Sequence, residues 1–250
     1  MKKNVLVFFV LLLLSLSSFA QNKTLPPLEL VDMPTAGTLE RGSYVSSLRL
    51  YPAGGLLGGV QIGLSNRLLL GVSYGGENII GEGKVNWNPE PGLQVVYRII
   101  DENIVLPAIT IGYNSQGFGP YIKSENRYNI KSRGFYAVAS KNYAFLGDLG
   151  FHGGVNYSLE RDDGDKDMNL FVGVMKSLNR DLSLLAEYDV AVNDNDFHSI
   201  GAGKGYLNLG VRWLFANRLS LQFQFKNILE NKENVPYSNR EIKIAYIEHF

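Results

Sequence analysis

The chain has 250 residues, and its 24 Lys and Arg balance its 24 Asp and Glu, so a basic nucleic-acid-binding face is not expected. The absence of cysteine excludes a disulfide framework and a lipid-modified cysteine. Charged residues make up only 19% of the chain, whereas 27 residues are glycine, 14 tyrosine and 13 phenylalanine. The length fits one domain.

Residues 1–20 have the organisation of a secretory signal peptide. Two lysines precede an unbroken apolar run at positions 5–14, and Ser18-Phe19-Ala20 has small residues at the two positions that a signal peptidase requires. The run is too short for a membrane-spanning helix, which needs about 20 residues. We predict cleavage before Gln21.

Residues 21–42 contain Pro26, Pro27 and Pro34 and show no periodicity. The sequence therefore predicts a periplasmic linker here, ahead of a domain that covers residues 43–250.

From Ser43 onward the sequence predicts twelve strands of about ten residues each, the length of a tilted strand that crosses a bilayer. The stretch at 219–226 shows the alternation of period two most clearly, with Leu221 and Phe223 on one face and Gln222 and Gln224 on the other. No apolar run after residue 20 is long enough for a transmembrane helix, so a membrane-embedded chain must form a closed barrel. The predicted fold is all-β, a single closed antiparallel transmembrane β-barrel.

The connections alternate in length, if the short link at 52–55 is counted with the long set. Tight turns at 65–67, 101–103, 147–148, 179–181 and 216–218 are separated by longer polar segments at 75–91, 115–132, 161–167, 194–204 and 229–240. Short periplasmic turns and longer external loops are typical of barrels of the bacterial outer membrane, which is the predicted location. The segment at 161–167 holds four aspartates and resembles a calcium loop superficially, but we expect a solvated loop tip.

The second face of the strands is polar, which argues against a soluble secreted β-protein, since each unpaired polar group in a dry core costs a few kcal/mol. We expect Glu187 and Asp189 to pair with Arg212 and Arg98 rather than to perform acid–base chemistry. No metal site or cofactor is predicted. The candidates for lining the lumen are Gln61, Gln94, Arg98, His152, Asn156, Glu187, Asp189, Arg212, Gln222, Gln224, Lys226 and Lys243.

The last predicted strand carries Tyr246 and Phe250 on one face, although Glu248 interrupts it. This strand resembles the terminal strand of outer-membrane proteins, which the barrel-assembly machinery recognises. We expect that machinery and outer-membrane lipid to be partners.

Several glycine-rich strings carry a resemblance to a known family. They are Gly71-Val72-Ser73-Tyr74-Gly75-Gly76, Trp87-Asn88-Pro89 and His152-Gly153-Gly154-Val155-Asn156. The chain resembles the YjbH-type family of outer-membrane β-barrels, which implies a link to polysaccharide-export components as partners. Family members with an exopolysaccharide role are much longer, and the resemblance implies no catalytic residues.

The sequence favours a structural or passive-channel role, linked to exopolysaccharide or small-saccharide passage, and not an enzyme. The lumen is either open or closed by its own side chains, because twelve strands leave little room beyond them. The main alternative is a phospholipase-like barrel with a lipid-facing His and Ser. None of His152, His198 and His249 belongs to the expected His-x-Ser-Asn-Gly string.

Overall fold

The computed structural model describes residues 27–196, 198–231 and 239–250. The predicted signal peptide lies outside the described residues, as does the first part of the predicted linker. Within the described chain, no helix has the length and apolarity needed to cross a bilayer.

The described chain is almost entirely strands and loops. Fifteen strands follow one another, and a short 3-10 turn at Val192–Asp194 lies between the twelfth and the thirteenth. The strands are β1 (Ser43–Tyr51), β2 (Gly55–Gly63), β3 (Leu68–Glu77), β4 (Asn86–Trp87), β5 (Gly92–Ile100), β6 (Ala108–Asn114), β7 (Phe118–Ile122), β8 (Arg127–Ile130), β9 (Gly134–Ala144), β10 (Asp148–Ser158), β11 (Asn169–Ser177), β12 (Leu182–Asp189), β13 (Tyr206–Phe215), β14 (Leu219–Lys226) and β15 (Asn239–His249).

Twelve of these strands form a closed antiparallel ring, which confirms the predicted fold. Each pairs with its neighbours along the chain once β4, β7 and β8 are set aside, and β1 also pairs with β15. Strand β4 extends the end of β3, and β7 and β8 form a separate hairpin in the loop before β9. Closure leaves no unpaired strand edge, which is the condition for placing a sheet in lipid.

The two faces of the wall differ as the alternation predicts. In β14 the side chain of Phe223 is 41% exposed on the outside, whereas Gln224 is 1% exposed and faces the interior. Large apolar side chains are exposed on neighbouring strands too, among them Val72, Leu93 and Val172. An apolar outer surface around a polar interior is inconsistent with a soluble protein and fits a hydrocarbon surround.

Two strands are shorter than the alternation predicts, because Asx side chains hold the backbone in turns. Strand β6 begins at Ala108 because the Asn103 side chain accepts hydrogen bonds from the N–H groups of Val105 and Leu106 at 2.9 and 2.8 Å. Strand β12 ends at Asp189, whose carboxylate accepts a bond from the N–H of Ala191. Asn and Asp side chains form hydrogen bonds with nearby backbone N–H groups, and these bonds compete with the hydrogen bonds between strands.

The segment predicted as a periplasmic linker lies inside the barrel where the structure describes it. We call residues 27–39 the plug. The plug turns back on itself through bonds from Leu30 N–H to the Met33 carbonyl and from Thr35 N–H to the Leu28 carbonyl. The side chain of Leu30 is fully buried. The plug is too short and too tightly turned to show a strand or helix period, which is why it reads as a linker.

Glycines in the wall make room for the plug. A Cβ atom at Gly173 of β11 would lie 2.4 Å from the Leu30 side chain, and one at Gly210 of β13 would lie 3.3 Å from a methyl group of Val31. Gly173 therefore serves the close approach of the plug to the wall.

Candidate functional site

The plug enters the lumen from the end of the barrel that carries the short turns. Its return arm is fixed to the turn between β2 and β3, where the backbone N–H of Arg41 donates to the Asn66 side chain at 3.0 Å and the Thr38 hydroxyl donates to the Asn66 carbonyl at 3.2 Å. Its tip, at Val31 and Asp32, reaches wall residues in the outer halves of their strands.

The tip is held by one wall carboxylate. Glu187 of β12 accepts hydrogen bonds from three successive backbone N–H groups, those of Val31 at 2.9 Å, Asp32 at 2.9 Å and Met33 at 3.0 Å. The Asn208 amide donates a fourth bond at 2.8 Å. Consecutive N–H groups that converge on an anion form a nest, and bonds to an ionised acceptor are stronger than neutral ones.

The side chain of Asp32 points away from Glu187 into two ion pairs. Its carboxylate lies 2.6 Å from Arg49 and 2.7 Å from Lys226. Glu241 completes the network, 3.1 Å from Lys226 and 3.7 Å from Arg49. Burial alone would raise the pKa of Asp32, but the charges of Lys226 and Arg49 outweigh it and hold this pKa below its ordinary value.

A second acidic residue of the plug, Glu29, sits against a band of wall residues that we call the basic row. The row runs across four neighbouring strands, because Arg49 pairs in register with Lys243, Lys243 with Gln222 and Gln222 with Arg212. Glu29 forms ion pairs with Lys243 at 2.5 Å and Arg49 at 2.9 Å.

Arg212 and Gln222 bind the backbone beside that carboxylate. Arg212 donates to the carbonyl of Glu29 at 2.9 Å, and Gln222 to the carbonyl of Leu30 at 2.8 Å. Burial alone would raise the pKa of Glu29, but Lys243 and Arg49 lower it below its ordinary value.

All twelve predicted lumen residues lie on the inner side of the wall. Seven bond to the plug: Arg98, Glu187, Arg212, Gln222, Gln224, Lys226 and Lys243. His152 reaches the plug through Ser140, whose hydroxyl also accepts from the N–H of Ala36. Gln61 and Gln94 bond to each other, Asn156 donates to wall carbonyls, and Asp189 accepts from Asn169. That any of them lines a solute path stays a prediction.

The expected pairing of Glu187 and Asp189 with Arg212 and Arg98 is wrong. Glu187 binds the plug tip, and the guanidinium of Arg98 donates to the carbonyl of Ala36. The plug stands between the facing walls, so side chains on opposite strands meet it rather than one another. Arg49 also faces the interior, where it pairs with Glu29 and Asp32 of the plug, and the sequence prediction did not select it.

The plug separates two cavities. One, of about 110 Å³, opens toward the turn end and is lined by Arg180, Asp181 and three members of the basic row, Arg212, Gln222 and Lys243. The other, of about 60 Å³, lies toward the loop end and is lined by Asn169, Asn208 and Tyr206. Leu28 and Glu29 line both cavities, so the plug is the partition between them.

External loops fold over part of the other end. We call residues 115–133, with Asp163 and Asp194, the lid. Arg127 is 1% exposed and lies 2.7 Å from Asp194 and 3.2 Å from Asp163, and Lys131 lies 2.6 Å from Asp163. The lid reaches a wall residue that holds the plug, because the Phe118 ring lies 5.2 Å from the guanidinium of Arg49, which pairs with Asp32.

The expectation of a solvated tip at 161–167 is wrong for two of its four aspartates. The side chain of Asp163 is 2% exposed because it pairs with Lys131. Asp165 is buried, and its carboxylate accepts hydrogen bonds from the N–H groups of Asp167 and Asn195. Asp162 and Asp167 are exposed as expected. The described residues contain no group of three or more His, Asp or Glu side chains that could hold a metal ion.

Two histidines contact serines, which bears on the lipid-modifying alternative. His152 lies 2.8 Å from the Ser140 hydroxyl, and His249 lies 2.8 Å from the Ser43 hydroxyl. Both pairs are on the lumen side of the wall. A lipase of this type needs its pair on the lipid side, and none is found there in the described part of the chain.

Aromatic pairs mark both rims of the outer surface. Trp213 stacks on Phe215 at the turn end, and Tyr74 stacks on Trp87 at the loop end. Such girdles lie at the two interfaces of a bilayer. With ring closure and the apolar band, they define the class: a transmembrane β-barrel of the bacterial outer membrane.

No protein-family model matches the chain, and no curated protein matches it in sequence. Among solved structures, the KdgM porin covers 83% of this chain and 99% of its own, at 9% identity and a TM-score of 0.48. The Acinetobacter baumannii outer membrane protein Omp33 covers 85% and 99%, at 10% identity and a TM-score of 0.46. An outer membrane channel from Pseudomonas putida F1 covers 85% and 97%, at 13% identity and a TM-score of 0.44.

Proposed function

We propose that the protein is a passive channel for small polar solutes, and that the plug is its removable closure. The observation that carries this proposal is the pair of cavities at the two ends of the lumen, each lined by both polar and apolar side chains, which share Leu28 and Glu29 as their common wall. Withdrawal of the plug joins them into one path through the barrel.

The barrel does not depend on the plug for its own closure. The plug precedes β1 and contributes no strand to the ring, whose ladders are complete without it. It is held by side-chain hydrogen bonds and ion pairs, and by apolar contacts of Leu30, Val31 and Met33 with the wall, rather than by a strand ladder. We therefore expect the wall to persist when the plug leaves.

The test is the conductance of planar bilayers that contain either the full mature protein or a variant without residues 27–36. The expected result is a steady open conductance for the deletion variant and a closed state with rare openings for the full protein. A second variant replaces the same residues with Gly and Ser at equal length. It shows whether closure needs the specific contacts of the plug or only a chain of that length inside the lumen.

Strand content measured by circular dichroism establishes that each variant is folded. A folded deletion variant that does not conduct contradicts the channel and favours the structural role that the sequence also allows.

Three finer expectations stay predictions. They are membership of the YjbH-type family with its link to polysaccharide-export components, the role of Tyr246 and Phe250 as an assembly signal, and the absence of enzymatic activity. The exposed positions of Tyr246 and Phe250 on the barrel surface support the second. Folding assays of Phe250→Ala with the purified assembly machinery test it.

A further inference from the structure

The position of Glu29 points to the solute class. We infer that the open channel prefers solutes that carry a carboxylate beside neutral oxygens, as a sugar acid does, and that they bind the basic row where Glu29 lies in the closed protein. This inference rests on the proposed channel function.

The basic row is built to receive one carboxylate. Arg49 and Lys243, paired in register on β1 and β15, both reach the Glu29 side chain. Together they supply a planar guanidinium and a compact ammonium ion, the two groups that hold carboxylates most strongly in proteins. Both are largely shielded from water, which strengthens the attraction.

The row also offers donors to neutral oxygens next to that carboxylate. Arg212 and Gln222 donate to the carbonyls of Glu29 and Leu30. The plug thus presents an acid group flanked by neutral acceptors, and a polyhydroxy acid presents a carboxylate flanked by hydroxyl oxygens. The match in chemistry suggests that the plug occupies the solute's place.

Removal of the plug leaves the wall with an excess of positive charge. Among described wall positions between the two rims, the cations are Arg49, Arg98, Arg212, Lys226 and Lys243, and the carboxylates are Glu187, Asp189 and Glu241. Glu241 stays 3.1 Å from Lys226 and 3.7 Å from Arg49, Glu187 stays bonded to Asn208, and Asp189 stays bonded to Asn169. Arg49, Lys243 and Arg212 lose their plug partners, so the free charge is concentrated on the basic row. A narrow, low-dielectric lumen focuses such a field.

The experiment uses three sugars of equal ring size and different charge: glucuronate, glucose and glucosamine. Their entry into liposomes that contain the plug-deletion variant is measured by swelling. We expect glucuronate to enter about fivefold faster than glucose, the ratio for one unit charge at about 4 Å from an opposite charge in water. Glucosamine should be slower than glucose.

Substitutions in the deletion variant locate the effect. Lys243→Gln and Arg212→Gln should each reduce the ratio of glucuronate to glucose entry toward one. Lys176→Gln is the matched control, since this lysine bonds to carbonyls at the turn end outside the basic row and should leave the ratio unchanged.

The outcomes separate the two proposals. A deletion variant that admits all three sugars at equal rates overturns the solute class and leaves the channel intact. A folded variant that admits none of them overturns the channel, and the solute class with it. A charge preference that survives Lys243→Gln and Arg212→Gln overturns the assignment to the basic row.

Discussion

The backbone N–H of Asp32 donates to the carboxylate of Glu187 at 2.9 and 3.1 Å, so two acidic residues sit side by side in the centre of the barrel. The contact is stable because the plug backbone, not the Asp32 side chain, faces Glu187. The Asp32 carboxylate turns the other way, toward Arg49 and Lys226. Each carboxylate therefore has its own donors.

Glu187→Gln should loosen the plug. An amide keeps the size of the side chain but removes the charge that three N–H groups share. Hydrogen bonds to a charged group contribute about 1.5–3 kcal/mol, so we expect the closed-to-open ratio to fall by about tenfold or more. The fraction of time open in single-channel records measures this ratio.

Asp189→Asn is the control for that variant. Asp189 lies two residues away on the same strand and undergoes the same chemical change, but it bonds to Asn169 and Ala191 rather than to the plug. Equal opening in both variants would show that a general loss of lumen charge, and not the plug contact, controls closure.

Acid should open the channel. The pKa values of Glu29 and Asp32 are lowered in the closed protein, from ordinary values of 4.5 and 3.8, by the cations around them. Because these pKa values are lowered in the closed protein, the two ionised carboxylates stabilise the closed state fully when the pH is above their ordinary pKa values. That stabilisation is lost as the pH falls below the ordinary pKa values. Single-channel records should show more frequent opening below about pH 4 than at about pH 8.

The plug-deletion variant provides the comparison for acid opening, because it lacks both groups. Its conductance should show no acid-induced opening step. A step of the same size in that variant would assign the pH response to the wall or the lid.

Asp194→Asn should release the lid. Asp194 holds the Arg127 guanidinium through two bonds at 2.7 and 3.1 Å, and without it this buried cation keeps Asp163, which it shares with Lys131. Breaking a buried ion pair costs up to about 3–5 kcal/mol, and the shared carboxylate offsets part of that cost. Trypsin added to the outside of liposomes should then cleave after Arg127 and Lys131. Mass spectrometry of the fragments identifies the sites.

Lys123 is the internal control for the protease experiment, because it is exposed at the tip of the same hairpin and should be cleaved in both proteins. Cleavage after Lys123 in both proteins, with cleavage after Arg127 in Asp194→Asn alone, is the expected pattern. Rapid cleavage after Arg127 in the wild type would contradict a closed lid.

Phe223→Arg should destabilise the barrel in lipid. The side chain lies at mid-strand on the outer face, where a cation would enter hydrocarbon at a cost of about 2–4 kcal/mol. Reversible unfolding in urea with lipid vesicles measures the loss, and Phe223→Leu should change the free energy of unfolding far less. Equal stabilities of the Arg and Leu variants would place this face in water.

The barrel could be predicted from the sequence because strand orientation is a local property. Alternation of period two at Leu221 to Gln224 is enough to assign each side chain to the inner or outer face, and the structure agrees. Turn bounds were less accurate, because Asn103 and Asp189 shorten their strands through local side-chain bonds.

The plug and the lid could not be predicted because their contacts are distant in sequence. Glu187 meets Asp32 across 155 positions, and no local pattern encodes that pairing. The sequence signal for the plug was the pair Gly173 and Gly210, since each leaves space on the inner wall. Glycine also occurs where strands bend, so these two residues alone do not predict a plug. The acidic segment at 161–167 was read as solvated because its partners, Arg127 and Lys131, lie in another loop.

The most direct test of closure by the plug is a disulfide that fixes it to the wall. The chain has no cysteine of its own, and a Val31 methyl group lies 3.3 Å from the Cβ position of Gly210, close to the separation that a disulfide requires. Conductance of the double variant Val31→Cys, Gly210→Cys is recorded at pH 4 before and after reduction. Closure by the plug predicts no openings while the bond is intact and frequent openings after reduction. Equal conductance in the two states, with the cross-link verified by mass spectrometry, would contradict it.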